Sequence, residues 1–405
     1  MTTTYDETET RKDLRSLVDQ ICRDFPDTYW QKVDEEDAYP EDFVQALTAT
    51  GALGALIPEE YGGLGLGLGD GSAILEQINY NGANSGAIHA QLYTMNAVLH
   101  HGSEEQKKQY LPQVATGELR LQAFGVTEPG AGTDTTSLST TAVRDGDEYV
   151  VNGQKVFISR VQQSDLMLLL ARTTPLDQVQ KKSDGLSLFL IDIRDLPGLT
   201  INPIKTMINH ATTELFFDDM RIPASSLIGE EGKGFKYILT GMNAERILIA
   251  SECIGDGRWF IERAVEYSKD RVVFNRPIGS NQGIQFPLVE LQTEAAMLRA
   301  LIRQTTWDMD TKGAFSASQL VSMCNYRANR LCCDAADQAM QVFGGLGYSR
   351  HEPFEHIYRH HRRYRITEGA DEIQMRRVAG YMFGFMRQRS PKGVAETGGA
   401  AGARA

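Results

Sequence analysis

The sequence predicts an α+β protein in three parts: an N-terminal helical domain, a central small antiparallel β-barrel or sandwich, and a C-terminal four-helix bundle. Three observations support this. The first 120 residues have helical periodicity, residues 121–229 alternate in short strand-like runs, and long helical patterns return after Gly234. We therefore expect domains at 1–120, 121–229 and 230–388, and a disordered Gly- and Ala-rich tail at 389–405.

In the N-terminal part, apolar residues recur at helical spacing around Leu14 to Ile21 and around Phe43 to Leu47. Pro58 and the glycine-rich segment 62–71 interrupt this pattern, and a helix is predicted again from Ser72 to His101. The glycine-rich segment follows no strand and lacks the GxGxxG spacing of a dinucleotide-binding loop, so we interpret it as a structural loop.

The central part is predicted to contain strands at 149–151, 155–159, 166–171, 186–193 and 214–217. Asn152-Gly153 lies between the first two, and this dipeptide favours the tight turn of a β-hairpin. The stretch GEEGKGFK, residues 229–236, lacks the spacing of a phosphate-binding loop and is expected to join this domain to the next helix.

Four long helices are predicted in the C-terminal part, at 235–268, 285–312, 317–343 and 371–387. Their number and length indicate a bundle. The order of helices, small β domain and helical bundle differs from the alternating strands and helices of a dinucleotide-binding sheet.

Composition narrows the class of protein. The chain has 405 residues, a net charge of −12 and no apolar run long enough to span a bilayer, which needs about 20 residues. The polar, acid-rich start of the chain lacks the features of a signal or transit peptide, so a cytoplasmic protein that does not bind nucleic acid is expected. The five cysteines and eight histidines form no CxxC or HExxH motif, which predicts buried free thiols and no metal.

The segment AFGVTEPGAGTD, residues 123–134, combines glycines, a proline and hydroxyl side chains at the start of the β domain. Such a loop can bring backbone N–H groups and hydroxyls close to a flat polar ligand. It can equally be an ordinary entry turn, and the residues alone leave both interpretations open.

VTEPGAGTD and the following GDEYVVNGQKVFIS resemble the middle-domain signature of the acyl-CoA dehydrogenase family. AERILIASECIGDGRW, QVFGGLGYSRHEP and TEGADEIQ resemble its C-terminal signatures, in the same order. The resemblance covers about residues 104–385. It implies a three-domain FAD enzyme that oxidises an acyl-CoA to the trans-2-enoyl-CoA and passes electrons to an electron-transferring flavoprotein.

The resemblance also implies the FAD contacts. Phe124, Val126 and Thr127 would line the flavin ring, and Thr133 would approach the flavin or the CoA. Phe157 stands where the family usually has Trp, and Ser159 where it usually has Thr near the flavin N5. The neighbouring subunit's contacts would come from Arg271, Phe274, Gln282, Gln341, Gly344 and Gly345, so a homo-oligomer, commonly a dimer of dimers, is implied.

Two glutamates compete for the role of the base that removes the α proton. Glu368, in TEGADEIQ, matches the usual catalytic glutamate, although Thr367 and Ala370 replace the usual Tyr and Thr. Glu245, in AERILIA, matches the position that a minority of the family uses. Our hypothesis is that Glu368 is the base and Glu245 shapes or shares the site, while Thr133 and Arg246 bind substrate. The residues alone also allow a helix-start acid for Glu368 and a helix ion pair for Glu245.

Two carboxylates that converge on one carbon would raise each other's pKa, so that one could be protonated at rest. The basic run RHHRRYR, residues 359–365, is expected to line a subunit interface or to meet phosphates of FAD or CoA. Pocket depth is expected to depend on the helices around 74–99 and 242–249. Flavin monooxygenases or oxidases of the same fold, and a lyase-like or binding member that no longer oxidises thioesters, remain alternatives.

Overall fold

The computed structural model describes residues 7–208 and 211–386, so the predicted tail at 389–405 lies outside the described residues. Six α-helices form the N-terminal part: α1 (Glu9–Cys22), α2 (Asp27–Glu35), α3 (Glu41–Ala49), α4 (Leu68–Tyr80), α5 (His89–His101) and α6 (Glu104–Thr116). Helix α4 begins inside the glycine-rich segment. Its first turn is held by Asp310, whose carboxylate accepts the N–H groups of Leu68 at 2.8 Å and Gly69 at 3.1 Å.

The single helix predicted over 72–101 was wrong, because α4 and α5 are separate helices. Asn84 lies in the break, where its side-chain oxygen accepts the N–H of Gly86 at 2.8 Å. A local side-chain bond of this kind competes with the helical hydrogen bonds of the backbone. The break lets α5 begin at His89.

The middle part is an eight-stranded sheet in the order β6-β7-β3-β2-β4-β5-β8, with β1 beside β4. The strands are β1 (Leu121–Gly125), β2 (Thr141–Asp145), β3 (Glu148–Ser159), β4 (Leu166–Arg172), β5 (Leu186–Asp192), β6 (Leu199–Pro203), β7 (Thr212–Pro223) and β8 (Leu227–Ile228). The predicted β domain is confirmed. Most pairings are antiparallel, whereas β1 with β4 and β2 with β4 are parallel.

The hairpin predicted at Asn152-Gly153 was wrong, because both residues lie inside the continuous strand β3. The dipeptide instead forms a bulge, where the register with β7 shifts between Val151 and Gly153. Gly153 has a φ of 145°, and a Cβ there would lie 2.6 Å from Thr140 Oγ1. Asn152 accepts the N–H of Asp219 at 2.8 Å, so the pair fixes the bulge against β7.

The C-terminal part contains α7 (Gly234–Asp270), the short strands β9 (Val272–Val273) and β10 (Arg276–Pro277), and then α8 (Gln282–Lys312), α9 (Ser318–Phe343), α10 (Phe354–Arg362) and α11 (Asp371–Met382). The long helices α7, α8 and α9 pack on one another, and α11 packs on α9. Helix α10 was not predicted. Within the described residues, no helix is both long and apolar enough to cross a bilayer.

Helix α7 connects the parts. It packs against α9 and α8 on one side and against α4 and α5 of the N-terminal part on the other, so nearly all of its central turns are buried. A single apolar core runs through the N-terminal and C-terminal helices and one face of the sheet. Polar side chains in the middle of α7 are therefore enclosed.

Candidate active site

The two candidate bases lie close together inside the protein. Glu245 is in the buried middle of α7, with 5% of its surface exposed. Its carboxyl group is hydrogen-bonded to the hydroxyl of Tyr93 on α5. Glu368 lies three residues before α11, in the segment that follows α10, and is half-buried.

Glu368 is held in an unusual backbone conformation, with a φ of 55°. Non-glycine residues adopt this left-handed region rarely and often at functional sites. Its main-chain oxygen accepts hydrogen bonds from Arg246 Nε at 2.9 Å and Gln374 Nε2 at 3.1 Å. Arg246, expected to bind substrate, thus directly fixes the segment that carries the candidate base.

Burial is the main cause that raises the pKa of Glu368. The Thr367 hydroxyl, which donates to the Glu368 carboxylate, and the nearby Arg363 and His89 oppose this rise because they favour the charged form. Glu368 lies three residues before α11, and its pKa is raised, whereas the helix-start interpretation predicts a lowered pKa.

The pKa of Glu245 is raised as well. Burial raises its pKa well above the ordinary value, and the negative charge of Glu368 adds to the rise, against the opposing influence of Arg246 and Tyr93. The two carboxyls thus share one site and do not ionise independently. Burial raises the pKa of both carboxyls, and the charge of Glu368 disfavours ionisation of Glu245 beside it.

Next to this pair lies a cluster of four buried polar side chains, His89, Glu252, His360 and Tyr364, which we call the polar wall. Glu252 accepts hydrogen bonds from both sides, at 2.7 Å with His89 Nδ1 and 2.7 Å with Tyr364 Oη. Tyr364 Oη also lies 3.2 Å from His360 Nε2 and receives a 2.8 Å bond from Arg363.

The wall carries a negative charge at its centre. Burial raises the pKa of Glu252, but His89 and Tyr364 together bring it below its ordinary value. Burial and the neighbouring Arg363 hold the pKa of His360 well below the usual range, so this histidine is neutral. The residues are thus fixed by matched hydrogen bonds in a region closed to solvent.

Sequence reasoning missed the wall and Tyr93. The available signal was the presence of ionisable residues in apolar helical patterns: His89 and Tyr93 are four residues apart on α5, and Glu252 lies seven residues after Glu245 on α7. Such spacings place side chains on one helix face. Only the packing of α5 against α7 brings the two helix faces together.

The basic run 359–365, expected to line a subunit interface or to meet phosphates of FAD or CoA, makes many of its contacts within the chain. Arg359 is paired with Asp34 at 2.5 Å and Glu355 at 2.6 Å, and Arg365 with Asp371 at 3.1 Å. His361 is buried beside Asp256, which with Cys253 raises the pKa of His361 to about 10 despite burial. The run is mostly neutralised inside the chain, because α10 packs it against α7 and α9.

A second site lies where β1 ends, in the predicted loop at 123–134. Glu128 is buried and pairs with Lys155 of β3 at 2.8 Å. The Glu128 carboxylate also accepts the N–H groups of Ser139 at 2.6 Å and Thr140 at 2.9 Å. These contacts outweigh burial and lower its pKa to about 2. Glu128 was not predicted, although it ties this loop to Lys155 of β3 and to Ser139 and Thr140.

The same anchoring brings the predicted flavin residues together. The Val156 N–H donates to the Thr127 oxygen at 2.9 Å, so the loop lies directly beside Phe157 and Ser159. Phe157 has a φ of 60° and is 64% exposed, which leaves an uncovered aromatic face. Phe124 and Val126 border the same strand end, while Thr133 is exposed farther along the loop.

The other predicted cofactor residues lie at one end of the helical bundle. Tyr267 and Phe343 stack with ring centroids 4.0 Å apart, which joins the end of α7 to the end of α9. The six residues of this group are all exposed, namely Arg271, Phe274, Gln282, Gln341, Gly344 and Gly345. Phe274 is 94% exposed.

Three domain families match this chain in order. The acyl-CoA dehydrogenase N-terminal domain matches residues 8–118, the middle domain residues 123–220 and the C-terminal domain residues 232–383. The chain belongs to the acyl-CoA dehydrogenase family. It is an oxidoreductase with acyl-CoA dehydrogenase activity, and its cofactor is FAD.

Similar proteins agree with this membership. An acyl-CoA dehydrogenase of Bacillus subtilis is 33% identical over 92% of this chain and 97% of its own length. Mitochondrial isobutyryl-CoA dehydrogenase of Dictyostelium discoideum is 32% identical over 90% of this chain and 87% of its own. The structure of butyryl-CoA dehydrogenase from Megasphaera elsdenii has a TM-score of 0.87 at 27% identity and covers 93% of this chain and 99% of that one.

The residues around the β1 loop fit the flavin of this acyl-CoA dehydrogenase. A Cβ built at Gly130 or Gly132 meets no atom within 4 Å, so the backbone of the β1 loop borders open space at these two residues. An aromatic face, backbone amides and the hydroxyls of Thr127 and Ser159 suit a flat ring with polar edges.

All five cysteines are buried free thiols, as expected. Within residues 7–208 and 211–386, no group of three or more His, Cys, Asp or Glu side chains is arranged to hold a metal ion.

Proposed function

We propose that Glu368 is the base that removes the α proton of the acyl-CoA, and that Glu245 stays protonated beside it. The observation that supports this is the difference between their surroundings. Glu368 has Thr367, Arg363 and His89 to favour its charged form, whereas Glu245 is more deeply buried and faces the charge of Glu368. A base must be ionised before it can accept a proton.

Removal of the α proton places negative charge on the thioester oxygen, which must be stabilised. Arg246 and Gln374 bind the carbonyl of Glu368 and so fix the backbone of this residue in its positive-φ conformation. We propose the backbone N–H of Glu368 as one donor to the thioester oxygen.

When bound, FAD supplies the acceptor for the electron pair that leaves with the β hydrogen, and the product is the trans-2-enoyl-CoA. Phe124, Val126, Thr127, Phe157 and Ser159 would hold the ring, and Thr133 would contact the cofactor or the CoA. By family membership, we propose an electron-transferring flavoprotein as the partner that reoxidises the enzyme.

We also propose that the enzyme works as a homo-oligomer, as a dimer of dimers. The support is the exposure of the second cofactor group: Arg271, Phe274 and Gln341 lie at the surface, away from the β1 loop in sequence. A guanidinium forks onto phosphate oxygens, and an exposed aromatic side chain is typical of an interface. These residues would complete the FAD site of a neighbouring copy.

The direct test is anaerobic titration of the FAD-loaded protein with a panel of acyl-CoA thioesters. The proposal predicts loss of the flavin absorbance near its long-wavelength maximum, formation of the enoyl-CoA, and slow reoxidation in air. Rapid reoxidation by oxygen would indicate an oxidase or monooxygenase. If no thioester bleaches the flavin, the oxidation of acyl-CoA by this site is excluded.

A further inference from the structure

Helices α5 and α7 and the segment 360–368 lie around the two glutamates. Tyr93 contacts Glu245 directly, and His89 follows one turn earlier on the same face of α5, with ring centroids 5.7 Å apart. Glu252 lies two turns after Glu245 on α7 and is bound to both His89 and Tyr364. An acyl chain that ran from the reacting carbons along these two helix faces would meet the polar wall.

The side chains of the polar wall are closely packed. His89, Glu252, His360 and Tyr364 are each at most 5% exposed. The ring of His360 packs so closely on Gly86 that a Cβ at this glycine would lie 2.6 Å from His360 Cε1. Asn329 of α9 donates to the main-chain oxygen of Tyr364 at 2.8 Å, which fixes the backbone of this segment against α9.

The free energy of binding disfavours a long apolar acyl chain that would displace the polar wall. Burial of each added methylene favours binding only modestly. Separation of His89 from the charged Glu252 in a buried site, and loss of the other hydrogen bonds of the wall, is much more unfavourable. A few extra methylenes do not offset the loss of the wall's hydrogen bonds.

We propose that the polar wall of His89, Glu252, His360 and Tyr364 closes the acyl pocket, so that the enzyme selects short acyl-CoA thioesters of about the size of butyryl-CoA and rejects long saturated chains. This inference rests on the proposed function, because it assumes that the acyl group reacts between Glu245 and Glu368. It adds the substrate class and the residues that determine it.

The test compares anaerobic flavin reduction by butyryl-CoA and octanoyl-CoA in the FAD-loaded enzyme. In the wild-type enzyme, kcat/KM for flavin reduction should be at least 100-fold higher with butyryl-CoA than with octanoyl-CoA. The double variant His89→Ala/Glu252→Ala removes both partners of the buried pair, which is tolerated better than removal of one. Its preference for butyryl-CoA should fall at least tenfold through faster reaction with octanoyl-CoA.

The matched control is Ser72→Ala/Ser251→Ala. These serines form a buried 2.6 Å hydrogen bond between α4 and α7, and Ser251 is the immediate neighbour of Glu252 on a different helix face. The control should keep the wild-type preference. Flavin content and thermal unfolding of each variant show whether it folds.

Equal wild-type efficiency with the two thioesters overturns the inference, even if the double variant does not fold. An unchanged preference in a folded double variant overturns it too. Both results leave the proposed function intact, because butyryl-CoA still bleaches the flavin. Failure of every thioester to bleach the flavin would instead reject the proposed function.

Discussion

Arg246 Nε donates a 2.9 Å hydrogen bond to the main-chain oxygen of Glu368. Arg246 follows Glu245 in the chain, so one turn of α7 carries one of the two carboxyl groups and also holds the backbone of the other. Burial, chiefly, lowers the pKa of Arg246 to about 10, but it remains a cation at neutral pH. Its charge opposes the rise in the pKa of Glu245.

Arg246→Lys should slow flavin reduction by about 10- to 100-fold, because an ammonium on a flexible stem does not reproduce the directed bond to the Glu368 oxygen. The measurement is the limiting rate of anaerobic reduction at saturating acyl-CoA. Arg377→Lys, which changes an arginine of α11 that is bonded to Ser322, is the control. A normal limiting rate in Arg246→Lys would show that the bond does not position the base.

Thr367→Val should move the pH dependence of kcat/KM to higher pH. The rate depends on ionised Glu368, and because its pKa is raised, the rate falls as pH drops through a value above the ordinary one. The Thr367 hydroxyl opposes that rise, so its loss raises the pKa of Glu368 further. Thr311→Val, on the exposed face of α8, should leave the profile unchanged. A shift of the Thr367→Val profile to lower pH would contradict the assignment.

Glu128→Gln should destabilise the fold by about 3 kcal/mol at neutral pH, because it leaves the Lys155 ammonium buried without its charge partner. The folded pKa of Glu128 is about 2, lower than in the unfolded chain, so its contribution is complete above the ordinary pKa and is lost as pH falls towards 2. The difference in the free energy of unfolding between variant and wild type should therefore shrink in acid. Glu148→Gln, at the exposed pair with Arg221, should change stability by under about 1 kcal/mol. An equal effect of the two substitutions would contradict the anchoring role.

Arg271→Gln should weaken FAD binding by about 10- to 100-fold, the loss of one charge-assisted hydrogen bond of about 1.5 to 3 kcal/mol. Flavin retained after dilution and gel filtration measures this. Lys269→Gln is the matched control, since Lys269 is an exposed cation two residues away that pairs with Glu266. Equal flavin retention in the two variants would remove Arg271 from the cofactor site.

Much of the architecture was predictable from sequence because helical periodicity and strand alternation are local signals. The starts of α7 and α8 and the strand region 121–229 follow from them. The prediction at Asn152-Gly153 was wrong because a positive φ occurs both in a tight turn and in a β-bulge. Only the pairing with β7 determines which of the two forms. The break before α5 depends on the Asn84 side chain, a local bond that periodicity does not register.

The site was predictable only in part. Family motifs pointed to Glu368 and Glu245, but no motif reveals which carboxyl holds the proton. That depends on Tyr93, Arg363 and His89, which lie far away in sequence and approach only through packing. The polar wall could not be predicted for the same reason: His89 and Glu252 are 163 residues apart along the chain.

The most direct test of the account is rapid-mixing flavin reduction in Glu368→Gln and Glu245→Gln, each loaded with FAD and mixed anaerobically with butyryl-CoA. Glu368→Gln should lose at least 1000-fold in reduction rate, because it lacks the ionised base. Glu245→Gln should keep reduction within about tenfold of the wild type, because an amide preserves the neutral, hydrogen-bonding character of the protonated carboxyl. Near-normal bleaching in Glu368→Gln together with a severe loss in Glu245→Gln would contradict the account and make Glu245 the base.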